Sequence, residues 1–208
     1  MPRLADMTAW LDDLLQVSTF SDYCPNGLQV QGAPEVSRVV TGVSASLALF
    51  EAALENNAEL ILVHHGIFWQ NDWPFRVQGA MRKRLAFLLA NELSLLSYHL
   101  PLDAHPEVGN NATAAAGLSL GSLEPFGDHK GRSIGFSGVL TRAQTPDAFR
   151  KSVADLYGKD PLVFLGNKET IEKVGIISGG AGHDFSKAIE AGLDAFVTGE
   201  PGQALSAR

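Results

Sequence analysis

The chain has 208 residues, of which 45% are hydrophobic and 19% are charged, and its formal net charge is -7 at pH 7. This length and apolar content suffice for a buried core, which excludes an intrinsically disordered chain. The excess of acidic residues argues against a protein that grips nucleic acid over its whole surface. The single cysteine, Cys24, excludes an internal disulfide framework and favours a reducing, cytoplasmic setting.

Charge and hydropathy along the chain exclude two further classes of protein. No apolar run approaches the roughly 20 residues of a membrane helix, and the N-terminus lacks the apolar core of a signal peptide, so we expect no membrane association. The longest basic cluster, Arg82-Lys83-Arg84, lies on a predicted helix. We interpret it as a solvated helix face rather than a nucleic-acid patch.

The first half of the chain alternates predicted helices and strands. A helix over 8–17, with Thr8 as its cap, is followed by a loop in which Pro25-Asn26-Gly27 is interpreted as a structural turn. The later elements are a strand at 38–43, a helix at 46–56, a strand at 58–63, a helix at 79–91 and a strand at 93–98. Strand–helix–strand units of this kind predict parallel strands covered by helices.

A stretch with several glycines and a proline, 121–131, predicts a connection between two α/β lobes, 1–125 and 126–208. The expected fold class is therefore α/β, with mostly parallel or mixed sheets covered by helices. The second lobe has predicted strands at 134–140, 162–165, 174–178 and 195–198, a helix after the cap Thr145, a turn at 179–184 and a helix at 185–191.

Four metal-ligating side chains follow the ends of two consecutive predicted strands: His64, His65, His99 and Asp103. Ligands of open α/β sheets collect at the carboxyl ends of the strands. A lone histidine at a strand end is more often a satisfied polar residue than a ligand. Three imidazoles and a carboxylate together favour a metal such as zinc, iron or manganese.

The histidine pair raises a geometric question. Neighbouring residues in a strand point to opposite faces, so His64 and His65 share one metal only if the backbone turns at Gly66. The alternative is two metals, each with one histidine and with a bridging carboxylate between them. His99 is then either a ligand or a residue that orients one.

The turn at 179–184 admits two interpretations. Its backbone amides could face an anion at a helix N-terminus, or it is a tight turn with Asp184 as the helix cap. It matches neither a phosphate loop nor the dinucleotide-binding fingerprint.

Several stretches, taken together, resemble the type 2 GTP cyclohydrolase I homologue family, also called the NGG-interacting-factor-like proteins. They follow the family's order across nearly the whole chain, which makes the match more specific than any single motif. The stretches are Ser21–Val30, Val63–Trp69, Tyr98–Pro106, Gly109–Asn111, Ser178–Gly180 and Val197–Glu200.

The resemblance implies two divalent metal ions between two α/β lobes, in a ring-shaped homohexamer. The family's ligands map here onto His64, His65 and Asp103. Its other two ligands, a histidine and a bridging glutamate, belong to a Gly-His-x-x-Thr-Glu stretch near the C-terminus that this sequence lacks. We therefore expect a short or truncated member of the family that carries three of the five ligands.

The implied activity is a metal-dependent hydrolysis that opens the imidazole ring of a guanine nucleotide. His99 or His105 would carry the proton, and the 179–184 turn would contact phosphate. The alternative is a non-catalytic metal-binding ring that acts as a scaffold or regulates partner proteins. A third and weaker hypothesis is a metal-free nucleotide-binding domain.

Overall fold

A computed structural model describes residues 1–201 of the chain. The chain divides into two compact α/β units, Met1–Leu102 and a second unit that begins at Asp103, and each contains one four-stranded mixed sheet. The predicted α/β class with mixed sheets is therefore confirmed. The division falls before residue 125, which lies inside a strand of the second unit, and residues 202–208 of the predicted second lobe lie outside the described residues.

The sheet of the first unit has the strand order β1-β4-β3-β2. Strands β2, β3 and β4 are parallel, as predicted, whereas β1 was not predicted and pairs antiparallel with β4 at the edge. The elements are α1 (Leu4–Leu14), β1 (Gly27–Val30), β2 (Val39–Ser44), α2 (Leu47–Glu55), β3 (Leu60–His65), α3 (Gly79–Ala90) and β4 (Ser94–Ser97).

The core of the first unit fixes the strand that leads to the histidine pair. Strand β3 lies between β2 and β4, and Leu60, Ile61 and Val63 are buried. Helix α2 covers this sheet through Phe50 and is capped by Ser46, whose Oγ accepts a hydrogen bond from a backbone N–H of the first turn. A strand buried among neighbours in this way gives its C-terminal end a defined position.

The sheet of the second unit has the order β5-β6-β7-β8, in which β5, β6 and β7 are antiparallel and only β7 and β8 are parallel. Helix α4 (Leu100–Ala104) precedes it along the chain. The remaining elements are α5 (Asn110–Gly117), β5 (Leu120–His129), β6 (Arg132–Gln144), α6 (Pro146–Tyr157), β7 (Ile171–Ile177), α7 (Phe185–Glu190) and β8 (Ala195–Thr198).

In each unit, one strand–helix–strand module has a carboxylate that joins the beginnings of its two strands. Glu59, just before β3, accepts hydrogen bonds from the backbone N–H groups of residues 37–38 at 3.0 and 2.8 Å. Asp194, just before β8, accepts them from residues 172–173 at 3.1 and 2.9 Å. In both modules the carboxylate ties the turn after the helix to the beginning of the neighbouring strand.

Helix α1 begins earlier than predicted. It starts at Leu4, whose side chain is buried and whose N–H donates to the carbonyl of Pro34 at 2.8 Å. Thr8 is therefore inside the helix rather than at its cap, and its Oγ1 donates to the carbonyl of Leu4. The prediction failed because a tertiary contact, not a capping side chain, determines where this helix starts.

Two predictions for the second unit were wrong, one of a strand and one of a connection. Residues 162–165 form no regular element, and Leu162 and Leu165 are 71% and 79% exposed, because no neighbouring strand pairs with this apolar run. Strand β5 was missed since Pro125 and its glycines indicated a connection. Proline is tolerated there because β5 is an edge strand, where a missing N–H removes no hydrogen bond on the open side.

None of the helices in residues 1–201 has the length and apolar content needed to cross a membrane.

Candidate metal centre

Three histidines meet at the carboxyl edge of the first unit's sheet. His64 and His65 end β3, and His99 follows β4, which is parallel to β3 and adjacent to it. The ring centroids are 4.5 Å apart for His64 and His65, 4.9 Å for His64 and His99, and 5.7 Å for His65 and His99. One nitrogen atom from each ring lies within 4.8 Å of a nitrogen atom from each of the other two rings.

The structure places the neighbouring rings of His64 and His65 together, where regular strand alternation would have separated them. The chain leaves the strand at Gly66, and a Cβ at that position would meet the side-chain amide of Gln29 at 2.3 Å. Gln29 in turn accepts a hydrogen bond from the N–H of Ile67 at 2.8 Å. The missing side chain at Gly66 thus lets Gln29 hold the segment that follows the histidine pair.

The Nδ1 atom of every ring in the histidine cluster, His64, His65 and His99, has a hydrogen-bond partner. Nδ1 of His64 donates to the carbonyl of Tyr98 at 3.0 Å, and Nδ1 of His99 donates to Oδ1 of Asp22 at 2.8 Å. Nδ1 of His65 lies 3.2 Å from Oγ of Ser44, a hydroxyl that can either donate or accept.

These partners determine which nitrogen carries the lone pair. In a neutral imidazole whose Nδ1 donates a proton, Nε2 has the lone pair that a metal requires. Histidine ligands of metals usually donate their other ring nitrogen to a carbonyl or a carboxylate, as His64 and His99 do here. The donor set of the cluster therefore fits a borderline divalent metal such as zinc.

Asp22 is a site residue that the sequence did not single out. Its side chain is 3% exposed and accepts four hydrogen bonds, from the backbone of Tyr23 and Leu100, from Nδ2 of Asn26 and from Nδ1 of His99. Burial raises the pKa of Asp22, but the hydrogen bonds from His99, Asn26 and Leu100 outweigh it and lower the pKa to about 2. The carboxylate is therefore ionised at neutral pH.

Asn26 also holds His99 in position through hydrogen bonds. Its Oδ1 accepts the backbone N–H of His99 at 2.8 Å, while its Nδ2 donates to Asp22 at 2.9 Å. The Pro25-Asn26-Gly27 turn, interpreted from sequence as structural only, thus holds both the backbone and the ring of His99. No sequence pattern connects residues 22–26 with a histidine more than 70 positions later.

A second cluster of donor atoms, from Asp22, Cys24 and His99, is less suited to a metal. Both oxygens of Asp22 already accept hydrogen bonds. Burial, reinforced by the charge of Asp22, raises the pKa of the Cys24 thiol to about 12. Metals bind the thiolate, which this environment disfavours. We therefore assign Asp22 to the orientation of His99.

Asp103 lies in the second unit, where it is 6% exposed. Its Oδ1 accepts hydrogen bonds from Nδ2 of Asn110 and from Oγ of Ser178, both at 2.8 Å. The buried side chain of Asn111 links the same residues, because it accepts the N–H of Ser178 at 2.7 Å and donates to the carbonyl of Asp103 at 3.2 Å. The carboxylate is thus held in one orientation, and its role as a metal ligand stays a prediction.

His105 also belongs to the second unit, and its hydrogen bonding is opposite to that of the cluster. Its Nδ1 accepts the backbone N–H groups of Glu107 and Val108, each at 3.2 Å. In the neutral ring the proton therefore resides on Nε2. This ring is a proton donor at Nε2, and its predicted catalytic role stays a prediction.

The turn at 179–184 forms hydrogen bonds with the end of a strand in the sheet of the second unit. The carbonyl of Gly179 accepts hydrogen bonds from Oγ1 of Thr198 and from the N–H of Glu200, both at 3.0 Å, which joins the ends of β7 and β8. Asp184 stands at the beginning of α7, but its carboxylate pairs with Lys187 at 2.7 Å and does not cap the helix. The interpretation as a tight turn accounts for these contacts.

Known proteins resemble the chain over most of its length. A "GTP cyclohydrolase 1 type 2 homolog" of Pseudomonas aeruginosa is 44% identical over 197 residues, which cover 95% of this chain and 77% of that protein. A protein of the same name from Deinococcus radiodurans is 40% identical over 196 residues, covering 94% of this chain and 74% of its own length.

Solved structures agree with this relationship. A structure described as "protein ybgI, unknown function" superposes with a TM-score of 0.89 at 36% identity and covers 98% of this chain and 81% of its own. The protein TTHA1606 from Thermus thermophilus superposes with a TM-score of 0.86 at 32% identity, over 98% of this chain and 80% of its own. The Duf34/NIF3 (NGG1p interacting factor 3) family matches residues 2–205, and the chain belongs to that family.

Proposed function

We propose that the protein binds a divalent metal at His64 and His65 and hydrolyses the imidazole ring of a guanine nucleotide. The observation that supports metal binding is the cluster of three imidazoles whose Nδ1 atoms all have hydrogen-bond partners. The name of the relatives, "GTP cyclohydrolase 1 type 2 homolog", supports the choice of reaction and substrate.

The residues take different roles in this proposal. When bound, a divalent metal supplies Lewis acidity and lowers the pKa of water. His64 and His65 hold the metal through Nε2, and Asp103 is a further ligand that rests on the family resemblance. His99 differs from the pair because its Nδ1 donates to an ionised carboxylate, which orients Nε2 to accept a proton. His105, with its proton on Nε2, donates one.

The metal is tested first, by elemental analysis of purified protein and by zinc titration against a chromophoric chelator. His64→Ala and His65→Ala each remove one ligand and are expected to weaken zinc binding by at least about tenfold. His183→Ala is the matched control, since His183 is exposed and lies outside the cluster. Equal zinc affinity in all three variants would exclude this site.

The reaction is tested with GTP and metal-loaded protein, with chromatography to detect the ring-opened product. His99→Ala is expected to keep the metal and lose product formation, whereas His64→Ala loses both. Metal binding without any product would exclude the hydrolase and leave the non-catalytic metal-binding role. The elemental analysis also counts the ions, of which the family resemblance implies two, and identifies them as zinc, iron or manganese. We also propose a cytoplasmic location, from the lone Cys24.

A further inference from the structure

The first unit contains a pocket of about 380 Å³ beside the segment that follows the histidine pair. The loop after β3 forms one side of it and helix α3 forms the other. Two arginines, one aspartate and three apolar side chains line the pocket: Asp72, Pro74, Phe75, Arg76, Met81 and Arg84. A pocket of this size accommodates a small organic molecule.

Arg84 differs from the solvated helix face predicted for its basic cluster. Arg82 and Lys83 are exposed, whereas Arg84 is partly buried and its Nη1 donates to the carbonyl of Ala45 at 3.0 Å. Its Nε is buried and has no hydrogen-bond acceptor in residues 1–201. A buried N–H of a guanidinium that has no acceptor is costly unless a ligand supplies one.

The charges around the pocket do not neutralise one another. Within the described part of the chain, neither Arg76 nor Arg84 forms an ion pair, and Asp72 pairs with neither arginine. Two guanidinium groups and one carboxylate leave the lining with an excess positive charge. Arginine donors arranged around a pocket suit a phosphate, which accepts several charge-assisted hydrogen bonds.

The apolar part of the lining belongs to a group of aromatic rings in contact with one another. The ring of Phe75 lies edge-on to Phe68 at 5.7 Å and to Trp73 at 5.6 Å between centroids, and Phe68 packs on the core of the first unit. Met81 completes this side of the pocket. Aromatic and thioether side chains of this kind pack against planar or apolar groups.

We propose that this pocket binds the phosphate of a small organic phosphate ester through Arg84 and Arg76, with the ester's planar part against Phe75. The pocket adjoins the histidine cluster through the backbone: Ala45, which anchors Arg84, donates its N–H to the carbonyl of His65 at 2.8 Å. The proposal is independent of the metal, because no lining residue belongs to the cluster.

Isothermal titration calorimetry of protein dialysed against a chelator tests the pocket without metal. The probes are guanosine 5′-monophosphate, inorganic phosphate and uncharged guanosine. We expect the nucleotide to bind most tightly, phosphate to compete with it, and guanosine to bind at least about tenfold more weakly, because only the first two bring the anion to the arginines. A failure of metal binding would leave this result unchanged.

Arg84→Met is expected to weaken binding of the nucleotide about tenfold to hundredfold, the usual loss for a hydrogen bond to a charged group. Arg82→Met, on the exposed face of the same helix, is the matched control and is expected to change the affinity less than about twofold. If Arg84→Met does not fold, as circular dichroism would reveal, Arg76→Met replaces it, since Arg76 is exposed and its loss is also expected to weaken binding.

Three results would overturn the proposal. One is that neither the nucleotide nor phosphate gives saturable heat up to about 10 mM, because a specific phosphate site would bind with a lower Kd than that. Another is an equal loss of affinity in Arg84→Met and Arg82→Met, which would indicate general electrostatic attraction. The third is guanosine binding as tightly as the nucleotide, which would assign the affinity to the ring alone.

Discussion

At the scale of single residues, the hydrogen bonds of Asp22 make a test of the site possible without any substrate. Asp22→Asn replaces one acceptor oxygen by an NH₂ group that faces donors from His99, Asn26 or Leu100. We expect the free energy of unfolding in urea to fall by about 2 kcal/mol, because a buried donor is left opposed to another donor. Zinc affinity is expected to change little, because His64 and His65 hold the metal in our proposal, whereas the tautomer of His99 is expected to change.

The exposed Asp13→Asn is the control for the loss of one negative charge. Nitrogen-15 NMR of the imidazole in the metal-free protein reports the tautomer of His99 directly. If Asp22→Asn left the tautomer of His99 as in the parent protein, Asp22 would not orient His99.

Cys24 gives a second residue-scale prediction. Its side chain is 6% exposed, and burial together with the charge of Asp22 raises its pKa to about 12. At pH 8 only about one thiol in 10,000 would be ionised, so native protein should react very slowly with a disulfide reagent. Absorbance of the released thiolate should show one reacting group only after denaturant is added. Complete reaction of the native protein within minutes would contradict the burial.

At the scale of elements, Asp194 provides a pH-dependent link between β7 and β8. Burial raises its pKa, but Lys168 and the N–H groups of Lys173 and Glu172 outweigh burial and hold the pKa below its ordinary value of 3.8. A pKa lower in the folded than in the unfolded chain stabilises the fold above about pH 4, and this contribution is lost as the pH falls through the folded pKa.

Asp194→Asn should therefore lower the free energy of unfolding by about 1–2 kcal/mol at pH 7. The difference between variant and parent should shrink below pH 4, where the parent loses the same interaction. Urea unfolding at pH 7 and pH 3 measures both values. A difference that is constant with pH would show that the charge of Asp194 contributes nothing.

The elements that could be predicted from sequence are those whose own residues indicate the structure, without a contact from elsewhere in the chain. Strands β2, β3 and β4 and the helices between them were predicted because a buried parallel strand is apolar along most of its length. Helix α6 was predicted from its capping residues, and Thr145 does accept a hydrogen bond from the first turn.

What could not be predicted depends on partners distant in sequence. Pro125 indicated a connection, but at an edge of the sheet it lies within β5. The apolar run 162–165 indicated a strand, but no neighbouring strand pairs with it and it forms no regular element. The histidine cluster was foreseen because consecutive parallel strands end at one edge, whereas Asp22 was missed because its contact with His99 arises only from the folded loop.

At the scale of the whole molecule, the homohexamer implied by the family resemblance remains a prediction. The chain has a mass of 22.2 kDa. Light scattering coupled to gel filtration should therefore give about 133 kDa for a closed ring of six identical chains. A mass near that of one chain at micromolar concentration would contradict the hexamer, and it would leave the histidine cluster unaffected, since all three rings come from one chain.

The three partners of the imidazole Nδ1 atoms come from separate parts of the first unit: Ser44 from β2, Tyr98 from the end of β4, and Asp22 from a loop. The unfolded chain has the histidines but not this arrangement, so a metal that needs it binds the folded state alone. The free energy of metal binding then adds to the free energy of unfolding. At a metal concentration of about one hundred times Kd the fold should gain about 2.7 kcal/mol, and Tm should rise with zinc concentration in the parent protein but not in His64→Ala.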